Sequence, residues 1–504
     1  MENPFKRRTS LLPVIILLLV YAHGHSQNYY AIQGSNYAGS LGIGNNPASI
    51  VNTPYKWDID LFSIQEKNAT NGVVIRNYSY LGNPRNSEYT IEEGDFRRFA
   101  YTDFNVNLLN ARLALNRKQA IGIGINLRGY AQASTGPVNF IDTLGSTRDF
   151  FDLGNYTRKL YGDMVHSSWA EFFVTWAQTI WDRADARLNA GITAKVSRGL
   201  SGAYINIVNG TVSQTIHGNS FAYTMEDAFV EYAYSHNYDT WQDEKNTRQN
   251  LKDFLKNTQT GLSFDLGAEY LIKPGQVSAV FDEDTYYDYD WKIGLSILDI
   301  GFNRFQYGRN SRVHTGFQDN ITDTVLDIRF ADISNLDDFN NRVVGVAGSS
   351  QQPGGRFHVV NPTRLVLNVD HFITGAWYVN GNASLNLSSL SGSQWRLSEL
   401  NMLTITPRWE TRRLGFYLPV HFNTKEQLWV GGAVKLGPLL MGVHNWATVF
   451  SKNKTQNGGA YLALVIRPGK HTDERTDKRL SCPKERIRYK KNRLGQQLSC
   501  PPRR

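Results

Sequence analysis

Long apolar runs are missing from this 504-residue chain. After the opening segment no stretch reaches the roughly 18 apolar residues of a spanning helix, so any insertion into a bilayer must use strands. Cysteine is nearly absent. The two present, Cys482 and Cys500, each sit in Leu-Ser-Cys-Pro near the end, which excludes a disulfide-dense scaffold and a Cys-rich zinc module. There is no His-Glu-x-x-His, no Gly-x-Ser-x-Gly, no phosphate-cradling Gly-rich loop before a helix and no paired-cysteine spacing. No enzymatic activity, cofactor or metal site is expected. The acidic run Phe281-Asp282-Glu283-Asp284-Thr285, with Asp288 and Asp290, lacks the spacing of a calcium loop and reads as a solvated turn.

Positive charge is also missing where it would matter. The net +9 is concentrated in Pro468 to Arg504, which carries twelve Lys and Arg against four acids, and in the first eight residues, with a net of +2. The body between is close to neutral, so a nucleic-acid partner is not expected. The basic tail, 468–504, reads as a disordered, solvated extension, or as a surface for anionic polymers and headgroups. Its cysteines lie in a compartment that permits a disulfide within the tail or between molecules.

What is present begins with Lys6-Arg7-Arg8, the apolar run Leu11 to Tyr21, and small residues at Ala22, Gly24 and Ser26. That order is a secretory signal peptide, residues 1–26, cleaved after Gly24 or Ser26, with no nearby cysteine for lipoprotein processing. From Trp57 to Arg467 the dominant pattern has a period of two. Ile121, Ile123, Ile125 and Leu127 alternate with Gly122, Gly124, Asn126 and Arg128; Phe416, Leu418, Val420 and Phe422 alternate with Tyr417, His421 and Asn423. Such segments are half-buried strands, and runs of about 10 residues match a tilted crossing of a hydrocarbon core. A composition of 12% aromatic residues, 43 glycines and a mean hydropathy of −0.41 fits a barrel in which only one strand face meets lipid.

Connections alternate between short (Arg117 to Lys118, Asp182 to Asp185, Thr374 to Gly375, Gly437 to Pro438) and long (about 133–166, 199–260, 305–363 and 388–400). Short turns face the periplasm and long loops face outward in such barrels. Trp169, Trp181, Trp291, Trp377, Trp409, Trp429 and Trp446 fall near strand ends and are expected in interfacial girdles. Pro419 predicts a bulge or kink within its strand. Helices are expected in the loops at Glu244 to Asn257, with Leu251, Phe254 and Leu255 on one face, and at Asp332 to Asn341. They either lid the mouth or meet a partner, or cap a small core within the loop.

Between leader and barrel, Gln33-Gly34-Ser35-Asn36-Tyr37 and Gly42-Ile43-Gly44-Asn45-Asn46-Pro47-Ala48 give compact irregular backbone. Asn46-Pro47-Ala48 is similar to the motif in the N-terminal hatch of the long-chain fatty-acid transporter family and its type IX secretion relatives; it is also an ordinary Asn-Pro turn. A closer resemblance is to a family of Bacteroidota outer-membrane barrels of unknown function. It is carried by Gln33 to Tyr37, Asn46 to Ala48, Tyr55-Lys56-Trp57-Asp58-Ile59, Phe416-Tyr417-Leu418-Pro419 and Leu436-Gly437-Pro438-Leu439. That resemblance implies a fold and a location and no settled activity.

The expected architecture is therefore all-β: a transmembrane antiparallel β-barrel of about 14 strands, with 16 as the alternative. A hatch-like segment at 27–54 precedes the barrel at 55–467, and both termini are periplasmic in a Gram-negative outer membrane. Arg128, Lys195, Asp265 and Glu269 fall on the inward parity and either line a polar pathway or pair and seal it. Two functions fit: passage of a small hydrophobic solute, or a non-transporting surface scaffold or secretion-associated barrel with surface or periplasmic protein partners. Outer-membrane lipid is a partner under both.

Overall fold

The computed structural model describes residues 30–468 apart from 78, 81, 83–86, 218–219, 243, 274–288 and 451–453. The expected leader, the acidic run Phe281 to Asp288 and the tail with both cysteines lie outside the described residues. No helix among the described residues is long and apolar enough to cross a membrane, which leaves crossing by strands open.

The alternating segments form 14 antiparallel barrel strands. They are β1 (Trp57–Thr70), β2 (Gly94–Ala114), β3 (Gln119–Phe140), β4 (Leu160–Asp182), β5 (Ala186–His217), β6 (Gln259–Ile272) and β7 (Trp291–Gln306). Then come β8 (Arg364–Thr374), β9 (Trp377–Asn386), β10 (Met402–Glu410), β11 (Leu414–Tyr417 and Val420–Asn423), β12 (Leu428–Val430 and Gly432–Leu436), β13 (Leu439–Val443) and β14 (Asn457–Gly458 and Ala460–Ile466). Each pairs with its neighbour in sequence, and β14 returns to β1, with Ile59 opposite Ile466 and Gln65 opposite Tyr461. Closure leaves no free sheet edge in the wall, the condition for a sheet to stand in lipid.

Side chains sort by parity. Ile123, Ile125, Phe172, Val174, Leu262, Phe264, Leu266, Ile405 and Phe416 point outward and stay exposed, giving the barrel an apolar belt. Their neighbours Asn126, Arg128, Thr175, Asp265, Thr404 and Arg408 point inward and are buried. β11 is interrupted at Leu418-Pro419, where the missing proline N–H breaks the ladder as expected, and β12 is interrupted beside it at Gly431. Trp291, Trp377 and Trp446 face outward, whereas Trp169 and Trp429 do not join a girdle. Both lie on the inward parity, Trp169 in step with Glu171 and Phe173, and are buried.

Several strands continue past the belt. β5 pairs with β6 through Ala186 to Gly199, then with the strand Ser220–Tyr234 through Ala203 to His217. That strand pairs with Arg312–Phe317, which pairs with Ala347–Gln351, making a flange above the wall. The helices Thr147–Asp152 and Asp323–Phe330 pack on it around Phe151, Tyr223, Met225, Ile321 and Val346. The two expected loop helices form at Thr247–Lys256 and Leu336–Val344, capped by Asn246 and Asn335. Phe254 packs edge-on against Tyr238, while Leu251 and Leu255 remain exposed. In the segment 388–400, expected as a long outer loop, residues 389–394 stay largely exposed, while Trp395 to Leu400 turn into the barrel mouth.

Candidate functional site: a plugged lumen

Residues 30–52 fold inside the barrel. Three short 3-10 helices, Tyr30–Ile32, Gly39–Gly42 and Pro47–Val51, form a plug whose backbone pairs with no strand. Asn46, Pro47 and Ala48 sit at its centre. The Asn46 Oδ1 accepts from the Ala48 amide at 2.9 Å, capping the third helix, and Asn46 Nδ2 donates to the Ala268 carbonyl of β6 at 3.0 Å. The wall is cut back to receive this turn. A methyl group at Gly191 would lie 2.6 Å from the Ala48 nitrogen, and one at Gly267 would lie 2.1 Å from Asn46 Oδ1. Gly191 and Gly267 are opposite each other in the β5–β6 ladder, with Gly294 close by on β7. Three glycines on adjacent strands thus make a hollow the depth of a side chain.

Side chains of the wall hold the rest of the plug. Ser296 Oγ donates to the Asn45 carbonyl at 2.7 Å, Lys292 Nζ contacts the Gly34 carbonyl and Asn36 Oδ1, and Arg112 Nη1 donates to the Ile50 carbonyl at 2.9 Å. Asp58 accepts from the Ser40 amide and pairs with Arg112, both at 2.6 Å. At the short-turn end Ser35 Oγ donates to Glu410, which also pairs with Lys435 at 2.8 Å. Apolar contacts are confined to patches: Ile43, Ile50 and Val51 against Ala120, Phe173 and Ala177, and Ile32 and Leu41 within the cluster of Tyr417, Leu440 and Tyr461.

Above the plug lies a belt of buried charge. Arg128 makes a two-pronged pair with Asp299, Lys195 Nζ lies 2.7 Å from both Asp265 and Asp299, and Glu171 stands 3.6 Å from Arg128. Next to it Arg364 pairs with Glu399, and Lys67 bridges Glu399 at 3.8 Å and Asp103 at 2.9 Å. Each of these groups has an opposite charge within 4 Å, which offsets part of the cost of holding it away from water. Of the four lumen candidates, the structure brings Arg128, Lys195 and Asp265 together. Glu269 lies lower, lining a void of about 30 Å³ beside Asn46, Lys292 and Gly294. Sequence parity missed Asp299, Glu171, Arg364 and Glu399. Asp299 sits at a register shift in β7 with φ 59°, so the alternation of Ile293, Leu295 and Ile297 would have sent it outward.

The mouth has a second seal. Trp395, from the inward-folded segment between β9 and β10, stacks on Tyr204 with ring centroids 3.6 Å apart. Tyr130, Trp169, Phe305, Phe357 and Leu397 complete the cluster. Backbone bonds from Val360 to Trp395 and from Leu397 to Val360, both 2.9 Å, and bonds through Gln132 fix the segment to the wall. Two further voids, one among Lys67, Asp103 and Glu399 and one among Leu41, Asn126 and Lys195, measure about 10 Å³ each. That is room for about one water. Among the described residues, the inward side chains are closed off from solvent by plug and mouth segment.

A closed barrel with an apolar belt, a compensated polar interior and an N-terminal plug defines an outer-membrane barrel protein. The chain belongs to the Family of unknown function (DUF5723), which it matches over residues 47–443. Among solved structures it is similar to a FadL homologue from Pseudomonas aeruginosa, at 11% identity and a TM-score of 0.41, covering 88% of this chain and 97% of that one. It is also similar to the Ralstonia pickettii toluene transporter TbuX, at 12% identity and a TM-score of 0.38, covering 85% and 94%. The P. putida toluene transporter TodX matches at 8% identity and a TM-score of 0.37, covering 85% and 93%. No curated protein sequence matches the chain.

Proposed function

We propose that this protein, in a Gram-negative outer membrane with both ends of its barrel on the periplasmic side, passes a small hydrophobic solute when its two seals part. The observation that carries this reading is how the lumen is filled. Narrow barrels close by wall side chains alone. Here separate segments fill the space and hold to the wall outside the barrel ladder: the plug at 30–51 and the mouth segment around Trp395. Withdrawing them leaves the 14-strand ladder intact. The apolar surface that Trp395 covers, Tyr204, Phe305 and Phe357, favours an apolar guest at the mouth. This reading involves no catalytic step.

Planar-bilayer conductance and liposome uptake of a hydrophobic dye test it, using the intact protein and one lacking Asn28 to Ile50. Opening or faster uptake on deletion supports passage beneath the plug. A folded barrel that stays closed and solute-inert in both forms overturns it. The flange favours a second reading, a surface scaffold engaging protein partners, because the sheet of Ser220–Tyr234, Arg312–Phe317 and Ala347–Gln351 has its own apolar core. Under that reading, removal of the flange abolishes partner capture and leaves uptake unchanged.

A further inference from the structure

A large hollow lies outside the barrel. On the lipid-facing surface of β9 to β14 a groove of about 810 Å³ runs over Pro407, Val434, Gly432 and Val443, within the roughly 300–1,000 Å³ of small-molecule sites. Small outward side chains form its floor. Trp377, Trp409 and Phe416 wall one side and Met441 the other. Toward the loop end it is capped: the Trp446 ring lies over Gly432, where an added methyl would come within 2.3 Å of the ring, and stacks on Phe450. Tyr80 reinforces that cap, its amide donating to the Thr448 carbonyl at 3.0 Å.

An occupant capped at one end must keep its polar part at the other. There, one rung below Phe416, Leu414 leads into the turn Thr411-Arg412-Arg413 between β10 and β11. At about 3.3 Å per residue, Arg413 stands roughly 10 Å from Phe416 along the strand, which is within the span of a lipid headgroup above its chains. Arg413 is exposed, and the neighbouring turns at 374–376 and 437–438 contain no acid. Arg412 is half-buried and turned to the Pro468 carbonyl, 3.4 Å from its Nη2, which leaves Arg413 as the cation facing the leaflet. We propose that this groove is a binding site for a phospholipid of the short-turn leaflet, with an acyl chain along Trp409, Phe416 and Val434 and an anionic headgroup on Arg413. Guanidinium groups pair with phosphate through two parallel N–H bonds, and their stems extend toward the membrane surface.

The test is bromine quenching of tryptophan fluorescence, since Trp377, Trp409 and Trp446 line the groove. Intact protein in nanodiscs is titrated with brominated phosphatidylglycerol or brominated phosphatidylcholine. Native protein is expected to show a saturable component for phosphatidylglycerol. R413Q is expected to weaken it about fivefold, the contribution of one arginine near an anionic surface. V434W, which fills the groove, should abolish it. R117Q, which removes equal charge from a turn distant from the groove, should leave it unchanged. Heat-shift electrophoresis verifies that each variant is folded. Equal affinity for both lipids, an unaltered R413Q, or saturable quenching that survives V434W overturns the site. Loss of binding in R117Q as well would show a general surface-charge effect and overturns it too.

Discussion

Gly191→Ala tests the seat of the plug with the smallest possible change. The added methyl would sit 2.6 Å from the Ala48 nitrogen and the Pro47 carbonyl carbon, both backbone atoms that cannot rotate away. Restoring an ordinary contact moves the turn by about 1 Å, and overpacking of this kind costs about 1–3 kcal/mol. The same movement pulls on the bonds from Asn46 to Ala268 and from Ser296 to Asn45, now 3.0 and 2.7 Å, each contributing about 0.5–1.5 kcal/mol. Together the seated plug loses about 2–6 kcal/mol, so the ratio of displaced to seated plug rises by at least about 30-fold. Single-channel recording in planar bilayers should show openings at least that much more frequent than in the native protein. Gly381→Ala is the control, because the nearest atom to its added methyl is 3.9 Å away. A folded G191A with native open probability would refute the idea that the glycine hollow holds the plug closed.

Other perturbations separate mouth, belt and loops. Trp395→Ala should weaken the mouth seal by less than the about 3–5 kcal/mol of a fully buried aromatic, since the ring is half-buried, and make residues 395–400 more open to protease while the barrel stays folded by heat-shift electrophoresis. Asp299→Asn removes the carboxylate shared by Arg128 and Lys195; breaking a buried pair costs about 3–5 kcal/mol, so the heat-shift transition should fall. A transition equal to the native one would place the charges in water. In the outer helix Leu336–Val344, hydrogen bonding to Arg342 holds the Asp338 carboxylate below its ordinary value of 3.8. A depressed carboxylate stabilises above its unfolded pKa and loses that contribution as pH falls through the folded one. Protection factors in 336–344, the intrinsic amide rate at each pH divided by the observed one, should therefore fall below about pH 4, and those of D338N should stay level across that range. Asn335→Ala should raise exchange in the same helix by about 1 kcal/mol of lost capping.

The wall was legible because a membrane enforces the simplest pattern available to a chain, one apolar face per strand at a fixed span. Ile121 to Arg128 and Leu403 to Arg408 could be assigned inward and outward by parity alone. Strand ends were not legible. β3 runs to Phe140 and β5 to His217 in regions where neither face meets lipid, so alternation fades while pairing continues. The inward position of Asp299 was hidden by a bulge, and that of Trp169 by the expectation that tryptophan marks an interface, although its step with Glu171 was available. The helices at Thr147–Asp152 and Asp323–Phe330 carry capping signals in the sequence: Ser146 caps the Asp149 amide and Thr322 caps that of Val325. The folding of 395–400 into the mouth had no periodic signature. It depends on Trp395 meeting Tyr204, residues far apart in sequence.

The heights of the wall tie the two seals to the flange. A crossing needs about 10 residues, yet β2 to β5 have 21, 22, 23 and 32 residues, while β13 has five. The surplus stands on one side of the barrel and rises into the flange; the opposite side ends near the membrane surface and carries the groove. The mouth segment springs from the low side, between β9 and β10, and finds its apolar partner only by leaning across to Tyr204 on β5 and Phe357 beside β7. Its hold on the backbone there consists of the paired bonds at Val360, about 1–3 kcal/mol in sum, reinforced by Gln132 and by Glu399 on Arg364. The half-buried Trp395 ring and the fully buried Leu397 add apolar contact to that hold. Release of the segment therefore requires the ring stack, the Val360 bonds and the Glu399–Arg364 pair to part together.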